Sequence, residues 1–241
     1  MTQRCLAAGV RPMLVRRPGR ADDAAARGWW FVDSLARTAV TGTWESLEDV
    51  EHALDLVDRD RARAVEQARP ADPMVLVCTH SKHDVCCAVR GRPIAADLAA
   101  RWPGMVWECS HLGGDRFAGN IVMLPDSTFY GGLDNADVEQ LVVDHLNGDV
   151  TLESYRGSGL HPAPAQAAVA ELLRRTGSRR HDDVSVAGVQ TLATGVWEVV
   201  LAARGELPAH TVFTVRRHWR RPEQLTCLAP EPVQAAEFEV R

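Results

Sequence analysis

The sequence predicts an α/β fold in which a β-α-β unit, a loop and a β-β-α unit follow one another, between an N-terminal segment and a β-rich C-terminal region. Three observations carry this expectation. MVLVC at 74–78 is a short continuous apolar run with the length of a buried strand, MVWEC at 105–109 reads as a second strand, and the two bracket a stretch with helical apolar spacing. NIVMLP at 120–125 and STFYGGL at 127–133 are strand-like and only a residue or two apart, as in a hairpin. From residue 183 onward, DVSVAGVQTL, GVWEVVLAAR and HTVFTVRRHWR alternate as strands do.

Residues 1–28, rich in Arg, Asp and Ala, read as a loose arm with a short strand at PMLV. WWFVDSL at 29–35 reads as a buried strand and its exit. The segment 47–68 has apolar residues at helical spacing, with Asp55 and Arg59 placed for an ion pair one turn apart. PIAADLAARW at 93–102 suits a helix with Pro93 in its first turn and Ile94, Leu98 and Trp102 on one face. DVEQLVVDHLNG at 137–148 is a second helix, with Asp137 as its cap, Gln140 as the capping-box partner and Gly148 at its end. His145, on that helix, reads as structural. A Pro-rich turn and a further helix occupy 157–177. The order is that of a thioredoxin-like core with its middle helix replaced by the loop 111–119. The βαβ half is expected parallel and the hairpin antiparallel. The segments divide the chain into an N-terminal arm and helical region (1–69), a core domain (70–177) and a β-rich extension (178–241).

Bulk properties narrow the function. A net charge of −5 over 241 residues draws the chain to neither nucleic acid nor an anionic membrane. The N-terminal sequence lacks the apolar core of a secretory signal, and no run approaches the roughly 18 apolar residues of a membrane span. The expected compartment is the cytoplasm, where thiols stay reduced. The six cysteines are then not a disulfide framework. Four lie between 78 and 109, while Cys5 and Cys227 stand apart and read as unpaired thiols. The basic run VRRHWRRP at 215–222 reads as a charge-protected strand edge, or as a dock for an acidic redox partner. No carboxylate pair stands in a glycosidase setting, and no G-x-G-x-x-G nucleotide loop is present.

The chemistry concentrates in CTHSKHDVCC at 78–87 and ECSHLGGDRFAGN at 108–120. Cys78 ends one strand. Cys86 and Cys87 close the following loop just before a helix, and Cys109 and His111 end the neighbouring parallel strand. Adjacent βα exits of one sheet bring these residues to one edge, where α/β folds place their ligands. The helix N-terminus beyond Cys87 favours thiolates. Gly113 and Gly114 permit a backbone turn with positive φ, and loops of this kind supply N–H donors to cluster sulfides. Buried cysteines that merely fill space are the plain alternative. A zinc ion on Cys78, His80, Cys86 and Cys87 is another, and thiol–disulfide exchange through Cys86–Cys87, or Cys78 with one of them, is a third. His80 and His83, in the polar loop, read as solvated.

The pattern C-x8-C followed by H-x-G-G-x-x-F-A-G-N, carried by Cys78, Cys87, His111, Gly113, Gly114, Phe117, Ala118, Gly119 and Asn120, resembles the sucrase/ferredoxin-like family. The resemblance is firm over about 70–155. It implies a thioredoxin-like ferredoxin with a 2Fe-2S cluster and three ligands, Cys78, Cys87 and His111. The family's second histidine, in H-x-G-G-H, is replaced here by Asp115. Cys86 is the preferred fourth ligand, with Cys109 and Asp115 as alternatives, and Asp115 is also placed to orient His111. Gly113, Gly114 and Arg116 would line the cluster, Arg116 facing its charge or pairing with Asp84. The implied role is one-electron transfer with an unidentified redox protein or small reductant, without conversion of a substrate.

Overall fold

The structure is a computed structural model that describes residues 2–19, 26–82, 85–114, 117–227 and 230–241. It opens with helix α1 (Thr2–Ala7) and strand β1 (Val15–Arg16), so the arm is more ordered than its composition suggests. Helix α1 is held by a distant segment: Arg4 Nε donates to Asp58 at 2.7 Å and its Nη2 to Asp55 at 2.8 Å. Of the strand expected at PMLV, only Val15 lies in β1. Strands β2 (Arg27–Asp33) and β3 (Thr38–Trp44) pair antiparallel and are joined by β4 (Arg69–Pro70) in a small separate sheet. WWFVDSL is therefore only half-buried, because its strand lies outside the main sheet.

The stretch 47–68 forms two helices, α2 (Leu47–Asp58) and α3 (Arg61–Gln67). The break comes at Asp60, whose side chain accepts from the Arg63 N–H at 3.2 Å and caps α3. The expected Asp55–Arg59 pair is present at 3.2 Å.

Next come β5 (Met74–Cys78), α4 (Val85–Arg101), β6 (Val106–Cys109), β7 (Asn120–Leu124), β8 (Thr128–Gly131) and α5 (Val138–Leu146), in the order the sequence predicts. Strands β5 and β6 run parallel with Cys78 opposite Cys109, and β7 and β8 are antiparallel. Together with β9 (Tyr155–Ser158) they make a six-stranded sheet ordered β1-β6-β5-β7-β8-β9. Asp137 stands at the N-cap of α5 without making a capping bond, because its backbone is helical (φ −108°, ψ −8°) rather than extended, and Gln140, the expected capping-box partner, donates to Asp144 at 2.7 Å. Gly148, with φ +88°, follows the end of that helix.

Helix α4 begins eight residues before the expected start at Pro93, so Cys86 and Cys87 lie in its first turn. Pro93 was expected in the first turn, where it costs no hydrogen bond; in the interior it forfeits one, and Gly91 is a poor helix former beside it. Burial overrides them. Cys87, Ala88, Gly91, Ile94, Ala95 and Leu98 form one buried face packed on β5 and β6. Fully burying Ile94 and Leu98 contributes about 1.5–3 kcal/mol each.

Helix α6 (Ala163–Thr176) packs on β9 and on a four-stranded antiparallel sheet of β10 (Val184–Ala193), β11 (Val196–Ala203), β12 (His210–Trp219) and β13 (Ala236–Val240). One apolar cluster runs from Val75, Ile94 and Ile121 through Leu172 and Leu173 to Val199, Leu201 and Phe213. The basic run of β12 is not an edge: β12 lies between β11 and β13, with Arg216 opposite Glu239 and His218 opposite Glu237. No helix among the described residues is long and apolar enough to cross a membrane.

Gly91 sets the seat of α4. A Cβ there would stand 2.1 Å from the Cys78 carbonyl oxygen, a backbone atom that cannot swing aside. Gly91→Ala is expected to cost about 1–3 kcal/mol, seen as a lower urea midpoint. An unchanged midpoint would show that the contact is not tight.

Candidate metal centre

Three segments meet at the C-terminal edge of β5 and β6. Cys78 ends β5, Cys87 lies in the first turn of α4, and His111 follows β6 by two residues. A ligand atom from each lies within 4.8 Å of the other two. Both cysteines are fully buried, and His111 is half-buried. This convergence is what the spacing predicts for these three residues.

The surroundings favour a thiolate at Cys78. Its sulfur accepts a hydrogen bond from Cys87 and others from the backbone N–H groups of Leu112 and His80, with the charge of His111 adding to them. These contacts outweigh burial and bring the Cys78 thiol well below its usual pKa. Cys109 has the opposite environment. Burial first, and then the neighbouring charge of Cys78, push its thiol far up. It packs with Leu76, Leu112 and Val122 as a small apolar side chain and stays out of the donor group.

The loop after β6 turns as its glycines require: Gly113 has φ +88° and Gly114 φ +72°, values costly for any residue with a Cβ. The turn is pinned through the Gly114 carbonyl, which accepts from Phe117 N–H at 2.8 Å and from Asn120 Nδ2 at 2.9 Å. Arg90 Nη1, from α4, donates to the Ala118 carbonyl at 3.0 Å, and Arg11 Nη2 to the His111 carbonyl at 2.9 Å. Asp115 and Arg116 lie outside the described residues, as do His83 and Asp84.

Cys86, the fourth ligand expected from the sequence, is placed elsewhere. It forms a disulfide with Cys227, 141 residues away, across a Cα–Cα distance of 6.5 Å that lies within the ordinary range. The reason is helical geometry. Successive residues of a helix point about 100° apart, so with Cys87 facing β5, Cys86 is turned to another side. Cys227 is likewise not the unpaired thiol expected. The zinc set that required Cys86 loses that member too.

His80, expected to be solvated and named as a ligand only in the zinc alternative, sits beside the donor group. Its backbone supports Cys78, its ring centroid is 6.3 Å from that of His111, and its Nδ1 is buried with no hydrogen-bond partner among the described residues. Its signal in the sequence is its position, two residues beyond Cys78 at a strand end.

A mixed α/β protein with two cysteines and a histidine gathered at one sheet edge is the class that fold and site define. The sucrase/ferredoxin-like family matches residues 22–157, more than half of the chain, and the chain belongs to that family. It is also similar to altered inheritance of mitochondria protein 32 of Meyerozyma guilliermondii, at 30% identity over 103 residues, covering 38% of this chain and 36% of that protein. The match thus spans only about a third of that relative's length. No solved structure matches the chain.

In metal-free protein, the first thiolate absorbance in the ultraviolet should appear at least about one unit below the ordinary cysteine pKa of about 8.5. Cys78→Ser should remove it and Cys109→Ser should not. A first titration near the ordinary value would contradict the hydrogen-bonded thiolate.

Proposed function

We propose that this chain is a thioredoxin-like ferredoxin that holds a 2Fe-2S cluster on Cys78, Cys87 and His111 and works in one-electron transfer. The observation that carries the reading is the meeting of two thiols and an imidazole, from three separate segments, at one sheet edge. The strand order β6-β5-β7-β8, with β5 and β6 parallel and β7 and β8 antiparallel to their neighbours, supports the thioredoxin-like part.

The residues present fit such a group in their chemistry. Thiolates suit iron–sulfur sites, and a neutral imidazole in place of a thiolate makes the centre less negative and raises its potential. The cluster itself would take up and release one electron. The protein's part is to keep Cys78 deprotonated through the Leu112 and His80 N–H groups, to bury both sulfurs, and to leave His111 half-exposed towards a redox partner. For the fourth position, His80 is the described residue with a buried nitrogen to offer. Asp115 holds it by its place in the motif.

One observation favours thiol–disulfide exchange instead: Cys78 is a low-pKa thiol that accepts a hydrogen bond from a second free thiol, Cys87. Both sulfurs are shut from solvent, however, and exchange requires a partner's disulfide to reach one of them.

A visible and paramagnetic-resonance spectrum of the freshly purified chain, with iron and acid-labile sulfide assays, tests the proposal. Coloured protein with iron and sulfide in equal amounts is expected. Cys78→Ser and Cys87→Ser should abolish the colour, Cys86→Ser should leave it, and His80→Ala or Asp115→Ala should alter it, whichever supplies the fourth ligand. Colourless protein with zinc on these residues, or metal-free protein that reduces disulfides, would overturn it.

A further inference from the structure

We propose that Asp126, His145 and His181 form a second metal site, built for a zinc-class divalent ion, at the opposite edge of the sheet from the thiols. Strand β7 runs antiparallel to β5, with Leu124 opposite Met74, so Asp126 lies beyond the end of β5 remote from Cys78. The three residues come from separate places: the β7–β8 turn, the last turn of α5, and the 3-10 turn His181–Asp183 that leads into β10.

The donor atoms converge. His145 Nε2 is 3.3 Å and His181 Nε2 3.6 Å from Asp126 Oδ2, and all three ligand atoms lie within 4.8 Å of one another. With zinc bonds of about 2.0–2.1 Å, the edge of a ligand tetrahedron is about 3.3 Å, so an ion needs little movement to enter. All three side chains are nearly buried, at 11%, 8% and 11% exposure. The imidazoles are stacked, with centroids 5.6 Å apart.

The far nitrogens are held as ligating histidines require. His145 Nδ1 is 2.9 Å from the Tyr130 hydroxyl, and His181 Nδ1 is 3.3 Å from Asp182 Oδ1. A carboxylate behind a histidine fixes its tautomer and leaves Nε2 as a lone pair facing inward. Proton accounting then points to a cation. With the proton of His181 on Nδ1, its Nε2 presents a lone pair to Asp126, which is already a carboxylate. Asp126 is buried as a whole residue, and its Oδ1 has no hydrogen-bond partner among the described residues. Thr128 Oγ1 donates to Oδ2 at 3.0 Å and leaves Oδ1 unsatisfied. Such a buried orphan oxygen is costly, and a divalent ion held by the carboxylate through both oxygens would satisfy Oδ1 together with the lone pair that faces Oδ2. His145, read from the sequence as a structural residue of its helix, is a ligand in this assignment. The ion would tie the six-stranded sheet, α5 and the entry to the C-terminal sheet together, with one coordination position left for water.

The test uses the full-length purified chain. Elemental analysis should find about one zinc that survives dialysis, and X-ray absorption at the zinc edge should show nitrogen and oxygen at about 2.0–2.1 Å with no sulfur at about 2.3 Å. Absence of sulfur separates this site from the thiol edge. Removing the ion with a chelator should lower the melting temperature, and zinc chloride should restore it. His181→Ala and His145→Gln should each lose the zinc with the iron content unchanged. A chain without a retained divalent ion, a sulfur-containing zinc shell, or full zinc retention in both variants would overturn the proposal. The absorption measurement on unaltered protein decides even if a variant does not fold.

Discussion

Helix α4 crosses the end of β5 with no side chain between them at Gly91. That contact governs the thiol edge, because the carbonyl it rests on belongs to Cys78. A bulkier residue would lift the first turn of α4 away from the sheet and carry Cys87 with it. The same seat puts Ile94 and Leu98 over β5 and β6, where they belong to the largest apolar cluster. Site geometry and core packing are therefore set by one helix position, and changes in the helix will be felt in both.

Strands β5 and β7 were legible because their burial on both faces writes a continuous apolar run, and β6 because an apolar stretch interrupted only by Glu108 leads to Cys109. The start of α4 was not, because Pro93 suits a first turn, and only the sheet beneath shows that the helix already runs through it from Val85. Helix α1 was hidden for a related reason: Arg4 finds its partners, Asp55 and Asp58, some fifty positions away. Strand β9, YRGS, has no apolar alternation to announce it and is irregularly paired, with a register shift between Phe129 and Tyr130.

The site divides in the same way. Cys78, Cys87 and His111 were legible because two strand exits and a glycine turn place them by local rules. The fate of Cys86 was not, since it depends on a cysteine 141 residues distant. The Asp126, His145 and His181 group left no trace in spacing at all. Its members come from a turn, a helix end and a connection between sheets, and only the packing of α5 against these segments brings them together.

The Cys86–Cys227 link has a topological meaning. It turns the chain between those two residues into a covalent ring that contains most of the six-stranded sheet and three strands of the four-stranded one. In the chain-entropy picture, closing a loop of 141 residues removes freedom from the unfolded chain worth about 5 kcal/mol. That is comparable with the entire stability of many domains. In an oxidising compartment the unfolded chain is a lariat and starts much closer to the native state. In a reducing one it is a free string, and the same contacts must hold the fold alone.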